Sequence, residues 1–201
     1  RHRESREELG KKIAKKEKAI IIPPFDDPTI INGQGTAGYE MSLQCNVQKI
    51  KPDIALCCCG GGGLISGVST ALLSKFPNLP IYAVEPKDFN DTKLSLEKDK
   101  IIEIDITKKS ICDALLAAKP GELTFSINKN NLMGGLLVSD EEAMFAMKIA
   151  FQYLKIVLEP GGAVALAAAI FNKVDIENKN VLVVASGGNV DKELFQKCLS
   201  L

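Results

Sequence analysis

Three short segments of this chain are almost wholly apolar and show no alternation between apolar and polar positions. They are residues 53–59, 81–85 and 180–185. A strand that is apolar at nearly every position is buried on both faces, as the strands of parallel sheets are. We therefore predict three buried strands here, and a fourth short strand at residues 19–22, which the following pair of prolines would end.

The segments between these strands carry helical patterns with clear start signals. Ser5 is followed by Glu8 three residues later, and an acidic run follows Ser139, as is typical of helix N-termini. The predicted helices cover residues 5–18, 28–48, 64–75, 92–98, 140–155, 160–172 and 191–199. The second of them contains three glycines, which indicates that another part of the backbone packs closely against it.

The order of these elements predicts the fold class. Strands that alternate with helices form a parallel α/β sheet with helices on both faces. In such sheets ligands bind beyond the carboxyl ends of the strands. Two of the predicted strands end in glycine clusters, at residues 60–63 and 187–188. We expect both clusters to lie on the ligand-binding edge.

Composition narrows the choice of partners and compartment. Of the 201 residues 46% are apolar, and 25 basic side chains balance 25 acidic ones. Balanced charge gives no electrostatic reason to expect nucleic acid or an anionic membrane as partner. No apolar stretch approaches the roughly 20 residues that cross a bilayer. The chain begins without a signal-peptide core, so we expect a cytoplasmic protein whose six cysteines are reduced thiols.

The glycine run Gly60–Gly63, followed by Leu64 and a predicted helix, is the most informative segment. Successive glycine N–H groups can converge on an anion, and the helix N-terminus adds a positive dipole end. No Gly-Lys-Ser/Thr sequence follows, so a Walker loop is excluded. A dinucleotide fingerprint fails at its last position, Ser66, although Glu85 stands where a ribose-binding acid would be expected. The residues favour a phosphate monoester, and leave a dinucleotide or a purely structural turn as alternatives.

A second polar segment, Ser186–Asp191, follows the last predicted strand. It is a strand-to-helix turn that Asn189 or Asp191 would cap. A serine hydroxyl at a strand end is also suited to hydrogen-bond a ring nitrogen without bringing charge. On the same edge as a phosphate loop, Ser186 becomes a candidate cofactor ligand.

Four motifs now stand in order along the chain. They are Pro24-Phe25-Asp26-Asp27-Pro28 with Gly33-Gln34-Gly35-Thr36, Gly60 to Gly67, Glu159-Pro160-Gly161-Gly162-Ala163, and Ser186 to Asp191. Together they resemble the threonine dehydratase and serine racemase branch of the fold-type II pyridoxal-phosphate (PLP) enzymes, which are tryptophan synthase β-like. The resemblance covers essentially the whole chain. It implies that residues 1–201 are the C-terminal portion of a PLP-binding large domain, with about residues 1–25 ending the small-domain or crossover region.

The resemblance also implies roles for individual residues. The amides of Gly60, Gly61, Gly62, Gly63 and Leu64 would hold the cofactor phosphate. Ser186, with Gly187 beside it, would meet the pyridine nitrogen, and Glu159 would lie near the ring. Ala114 stands where many relatives have a glycine beside the cofactor, and Arg6 aligns loosely with an arginine near the substrate entrance.

A divalent cation site is implied on the loop after the second long apolar run. Glu85 and Asp91 match the two carboxylate positions, with the carbonyl of Phe89 between them. Two carboxylates and a carbonyl form a hard oxygen site suited to Mg²⁺, Mn²⁺ or Ca²⁺. Without the resemblance these acids would be ordinary loop residues.

Two family motifs do not occur in this sequence. The Schiff-base segment Ser-x-Phe-Lys-x-Arg-Gly and the carboxylate-binding loop Ser-x-Gly-Asn-His are both absent. We expect both in a preceding part of a longer protein, and expect this chain by itself to supply no catalytic residue, to be inactive and to be poorly soluble. The parent is expected to be a homodimeric dehydratase (ammonia-lyase) that converts L-threonine or L-serine to a 2-oxo acid and ammonia. A serine or aspartate racemase, a non-catalytic remnant and a dinucleotide-binding module are the alternatives.

Overall fold

The computed structural model describes the backbone of residues 6–201 and the side chains of residues 8–201. In chain order, its elements are α1 (Arg6–Glu17), α2 (Pro28–Gln48), β1 (Ile54–Cys58), α3 (Gly63–Leu73), β2 (Ile81–Pro86), α4 (Asp91–Lys98), a 3₁₀ turn (Asp113–Leu115), α5 (Glu122–Asn131), β3 (Gly134–Val138), α6 (Asp140–Ile149), α7 (Pro160–Ile170), β4 (Val181–Val183) and α8 (Lys192–Leu199). A π-helical segment, Ala150–Leu154, extends α6.

The four strands form one parallel sheet in the order β3-β2-β1-β4. The registers pair Leu56 of β1 with Tyr82 of β2 and with Val183 of β4. Because all strands run the same way, the segments that follow β1, β2, β3 and β4 meet at one edge. The predicted parallel α/β fold is confirmed.

The central strands β1 and β2 are buried on both faces, as their apolar runs require. The prediction that the last strand is also buried is wrong: β4 is only half-buried, because it lies at the edge of the described sheet with β1 on one side only. Leu56 and Cys58 of β1 lie in one core cluster, which includes the alanine-rich helix α7. Ala55 and Cys57, which point the opposite way, lie in a second cluster with residues of α3. All six cysteines are free and buried, which agrees with the prediction of reduced thiols.

The glycines of α2 behave largely as predicted. A Cβ added to Gly38 would lie 2.5 Å from the Val68 carbonyl oxygen, and one added to Gly35 would lie 3.2 Å from the Gly67 oxygen. The helices α2 and α3 therefore pack backbone against backbone. Gly33 faces open space, so its small size is not needed for this contact.

Some sequence-based expectations are wrong. Residues 19–22 form no strand, and Ile20 in that segment is 92% exposed, because no strand of the described sheet lies beside it. The helix predicted over 140–155 is α-helical only to Ile149. Helix α5 and strand β3 were not predicted, since β3 begins with two glycines and its apolar part has only three residues. Within residues 6–201, no helix is both long and apolar enough to span a membrane.

Candidate cofactor site

The glycine loop lies at the carboxyl end of β1 and leads directly into α3. Gly62 is the N-cap of α3 and has a φ of 94°, a left-handed conformation that favours glycine. Among residues 8–201, no carbonyl or side chain accepts a hydrogen bond from the N–H groups of Gly60, Gly61 or Gly62. Gly63 and Leu64 open α3, where the first N–H groups have no partner within the helix. The loop thus presents a set of unpaired donors at a positive helix end, which suits a phosphate.

Helix α5, which was not predicted from the sequence, packs against this loop. Thr124 Oγ1 donates to the Gly61 carbonyl oxygen at 2.8 Å. The N-terminus of α5 is capped from far along the chain by Asp26, whose Oδ1 accepts from the Leu123 and Thr124 N–H groups at 2.8 and 3.0 Å. The Phe25 ring packs on Gly61 so closely that a Cβ there would lie 2.4 Å from it. Phe25 and Asp26 belong to the first of the four motifs, but their role could not be inferred without α5.

Ser186 lies at the same edge, because β4 pairs directly with β1. Its Oγ is 3.3 Å from the Sγ of Cys58, the last residue of β1, and its N–H donates to the Gly162 carbonyl oxygen at 3.3 Å. The side chain of Ser186 is exposed, whereas Cys58 is 4% exposed. The glycine loop and the serine hydroxyl, predicted from separate segments, are brought together by the strand order.

Glu159 is the N-cap of α7 and is half-buried beside the Ser186 turn. Its N–H donates to the Gly187 carbonyl oxygen at 2.9 Å, and its Oε2 accepts from the Asn189 N–H at 3.2 Å. A Cβ on Gly187 would collide with the Glu159 carboxylate. Glu159 therefore stabilises the turn that carries Ser186.

Glu85 and Asp91 form a buried acidic pair one strand away. Glu85 is fully buried, and its two carboxylate oxygens accept from the Thr92 and Lys93 N–H groups, each at 2.8 Å. Burial, together with the nearby Asp91, raises the pKa of Glu85 to about 8. Because the Glu85 side chain is fully buried against the start of α4, it is not exposed as the ribose-binding acid of a dinucleotide site would be.

Asp91, the second member of the pair, has fewer hydrogen-bond partners than Glu85. It is 1% exposed, and neither carboxylate oxygen has a hydrogen-bond partner among the described residues. Burial raises the pKa of Asp91 to about 7. An unpartnered buried carboxylate fits a cation, and each Glu85 oxygen keeps a second lone pair. No cluster of three or more His, Cys, Asp or Glu side chains suited to a metal occurs in residues 8–201, so any cation here also needs backbone oxygen such as the Phe89 carbonyl.

The predictions made for Ala114 and Arg6 have different outcomes. The carbonyl oxygen of Ala114 lies 3.4 Å from a Cβ built on Gly60, and its own Cβ lies 3.4 Å from one built on Gly161. Ala114 therefore does lie beside the glycine loop. The side chain of Arg6 is outside the described residues, so its predicted role near the substrate is not tested.

The edge of the sheet thus combines unpaired amide donors with a neutral hydroxyl one strand away. The donors suit a phosphate monoester, and the hydroxyl suits the nitrogen of an aromatic heterocycle. Pyridoxal phosphate carries both groups, and the residues present fit it.

Comparison with known proteins indicates the same cofactor. The sequence model of the family described as "Pyridoxal-phosphate dependent enzyme" matches residues 1–187. A serine racemase from Schizosaccharomyces pombe is 40% identical over 100% of the chain, and the match covers 60% of that protein. An L-threonine ammonia-lyase from Thermotoga maritima is 33% identical over 96% of the chain and 47% of its own length.

A solved structure shows the same likeness in three dimensions. The structure of the processed form of threonine deaminase isoform 2 from Solanum lycopersicum matches with a TM-score of 0.82 and 32% identity, over 94% of this chain and 54% of that one. The chain thus spans between 47% and 60% of the length of these three relatives. The family match over residues 1–187 shows that this chain belongs to the pyridoxal-phosphate dependent enzymes.

Proposed function

We propose that the protein containing this chain is a PLP-dependent ammonia-lyase that converts L-threonine, L-serine or both to a 2-oxo acid and ammonia. The observation that carries the proposal is the placement of a neutral hydroxyl, Ser186, on the same sheet edge as the unpaired amides of the glycine loop. When bound, pyridoxal phosphate supplies an electron sink for the bonds around the substrate Cα.

The residues of this chain would hold and tune that cofactor. The amides of Gly60, Gly61, Gly62, Gly63 and Leu64 would bind the phosphate, and the dipole of α3 would add to the attraction. Ser186 Oγ would donate a hydrogen bond to the ring nitrogen without transferring a proton. By leaving that nitrogen unprotonated, Ser186 would make the bound cofactor a weaker electron sink, which favours loss of a β-hydroxyl from the substrate.

Glu159 and the acidic pair would support the site indirectly. Glu159 holds the turn that follows β4 through the Asn189 N–H, and Gly187 gives its carboxylate room. Glu85, Asp91 and the Phe89 carbonyl would bind Mg²⁺, Mn²⁺ or Ca²⁺ and so fix the loop between β2 and α4. The proposal assigns proton transfer and substrate-carboxylate binding to groups outside these 201 residues, so the chain alone would not turn over substrate.

The experiment that tests the proposal uses the protein expressed from its complete reading frame, saturated with pyridoxal phosphate. L-threonine and L-serine are supplied separately, and 2-oxo acid and D-amino acid are both measured. We expect 2-oxo acid from at least one substrate, and a strong loss of activity in Ser186→Ala. Ser74→Ala, which removes an exposed hydroxyl at the far end of α3, is the matched control. Bound cofactor with no 2-oxo acid from either substrate would overturn the proposal.

Serine racemisation is the second candidate. It is favoured by the 40% identity to a serine racemase over the whole chain. The same assay separates the two activities, since a racemase yields D-serine in excess of 2-oxo acid, and L-aspartate as a third substrate tests the aspartate racemase alternative. The homodimer expected from the resemblance stays a prediction, which light scattering on the full-length protein checks.

A further inference from the structure

The carbonyl group of Gly61 points toward the N-terminus of α5 and is held there by two hydrogen bonds. It accepts hydrogen bonds from Thr124 Oγ1 at 2.8 Å and from the Gly121 N–H at 3.3 Å. Thr124 is fully buried, and its Oγ1 is also 3.2 Å from the Gly121 carbonyl oxygen. The shorter contact makes Gly61 the principal acceptor of its hydroxyl proton.

This contact fixes the direction of the next amide. The peptide bond between Gly61 and Gly62 is planar and trans, so the carbonyl of Gly61 and the N–H of Gly62 point in opposite directions. A carbonyl that points to α5 therefore directs the Gly62 N–H away from α5. In the described chain this N–H has no acceptor. It remains available as a donor to a ligand.

The loop also packs closely against α5 at Gly62. A Cβ built on Gly62 would lie 2.9 Å from Thr124 Oγ1 and 2.9 Å from the Asn128 amide nitrogen. The backbone of Thr124 is in turn held by Asp26, which accepts from the Thr124 N–H at the N-terminus of α5. Asp26, Thr124 and Gly61 thus form a continuous set of contacts from the segment before α2 to the glycine loop.

We propose that Thr124 is a positioning residue that orients the Gly62 N–H toward the cofactor phosphate by holding the Gly61 carbonyl. The proposal rests on the assignment of the glycine loop as the phosphate site. It adds a residue from a helix that carries none of the sequence motifs. In this role Thr124 acts through Gly61 and needs no contact of its own with the cofactor.

The test compares ligands with and without the phosphate. Dissociation constants of pyridoxal phosphate and of pyridoxal are measured by fluorescence on the apo form of the full-length protein. Thr124→Val keeps the shape of the side chain but removes its hydroxyl donor. The carbonyl of Gly61 is then left with one hydrogen-bond partner fewer. We expect Thr124→Val to raise the dissociation constant of pyridoxal phosphate about 5- to 50-fold and to change that of pyridoxal less than about 2-fold.

Controls separate positioning from general damage. Thr124→Ser restores the hydroxyl, and we expect it to stay within about 3-fold of the wild type for pyridoxal phosphate. Ser126→Ala removes an exposed hydroxyl from the same helix and is expected to leave both constants unchanged. If Thr124→Val does not fold, Thr124→Ala carries the same comparison, because it removes the donor without adding volume.

The outcomes are distinct. The positioning role would be overturned if Thr124→Val bound pyridoxal phosphate as tightly as the wild type. It would also be overturned if the binding of both ligands were weakened equally. A wild-type protein that binds pyridoxal as tightly as pyridoxal phosphate would overturn the phosphate site itself, and the proposed function with it. Weakening confined to the phosphorylated ligand, rescued by Thr124→Ser, is the result that supports the proposal.

Discussion

The substitution Asp91→Asn tests the buried acidic pair through the pH dependence of folding. Asp91 has its pKa raised from 3.8 to about 7, and Glu85 has its pKa raised from 4.5 to about 8. Burial is the main cause for both, and the Asp91 charge adds to the shift of Glu85. In the unfolded chain both carboxyl groups titrate near their ordinary values.

The sign and size of the effect follow from these values. Between the unfolded and folded pKa, the folded protein holds a proton that the unfolded chain has lost. Each such group makes the free energy of unfolding fall by about 1.4 kcal/mol per pH unit as the pH rises. The stability that the pair contributes is complete below about pH 4. It is lost progressively as the pH rises above that value, and the loss is complete above about pH 7 for Asp91 and about pH 8 for Glu85.

Removing one of the two groups should halve their joint effect. Between pH 5 and pH 6.5 the pair contributes up to about 2.7 kcal/mol per pH unit, and Glu85 alone up to about 1.4 kcal/mol per unit. We expect the Asp91→Asn slope to differ from wild type by about 1.4 kcal/mol per pH unit over this range. Urea denaturation of the full-length protein at several pH values, without divalent cations, measures both slopes. Glu97→Gln, an exposed acid on the same helix, is the matched control.

A divalent cation should reverse this pattern, because it stabilises the ionised carboxylates. At pH 8, Mg²⁺, Mn²⁺ or Ca²⁺ at about 100 times its dissociation constant should stabilise the wild type by about 2.7 kcal/mol, and Asp91→Asn much less. Identical pH slopes in wild type and Asp91→Asn would refute the reasoning about the pair. Equal cation responses would refute the metal site alone.

Two further predictions concern the glycine loop and its neighbour. Gly62→Ala places a side chain at φ 94° against Thr124 and should destabilise the protein by about 2–4 kcal/mol in urea denaturation, whereas Gly10→Ala, with open space around it, should not destabilise. Cys58→Ala removes the thiol that lies 3.3 Å from the Ser186 hydroxyl and should shift the pH titration of the bound cofactor's visible absorbance. Cys57→Ala, on the opposite face of the strand, should leave that titration unchanged; equal shifts in both variants would contradict the prediction.

The sequence by itself determined the features that depend on neighbouring residues. The runs that became β1, β2 and β4 are apolar at nearly every position and are too short for a typical helix, so they were predicted as strands. The glycine run was predicted to be a phosphate-binding turn because glycine gives successive amides the freedom to converge on an anion, and this stays a prediction. Helix α2 began and ended where predicted, because Asp27 caps it and Pro28 opens it.

Only the tertiary structure decided which of these segments meet. The order β3-β2-β1-β4 places β4 beside β1, and this brings Ser186 to Cys58 although 128 positions separate them. Asp26 caps α5 from 96 to 98 positions away, and Thr124 reaches Gly61 across 63 positions. Such contacts depend on how distant elements pack, which no local pattern of apolar and polar residues encodes. For the same reason residues 19–22 resembled a strand but had no neighbouring strand to pair with.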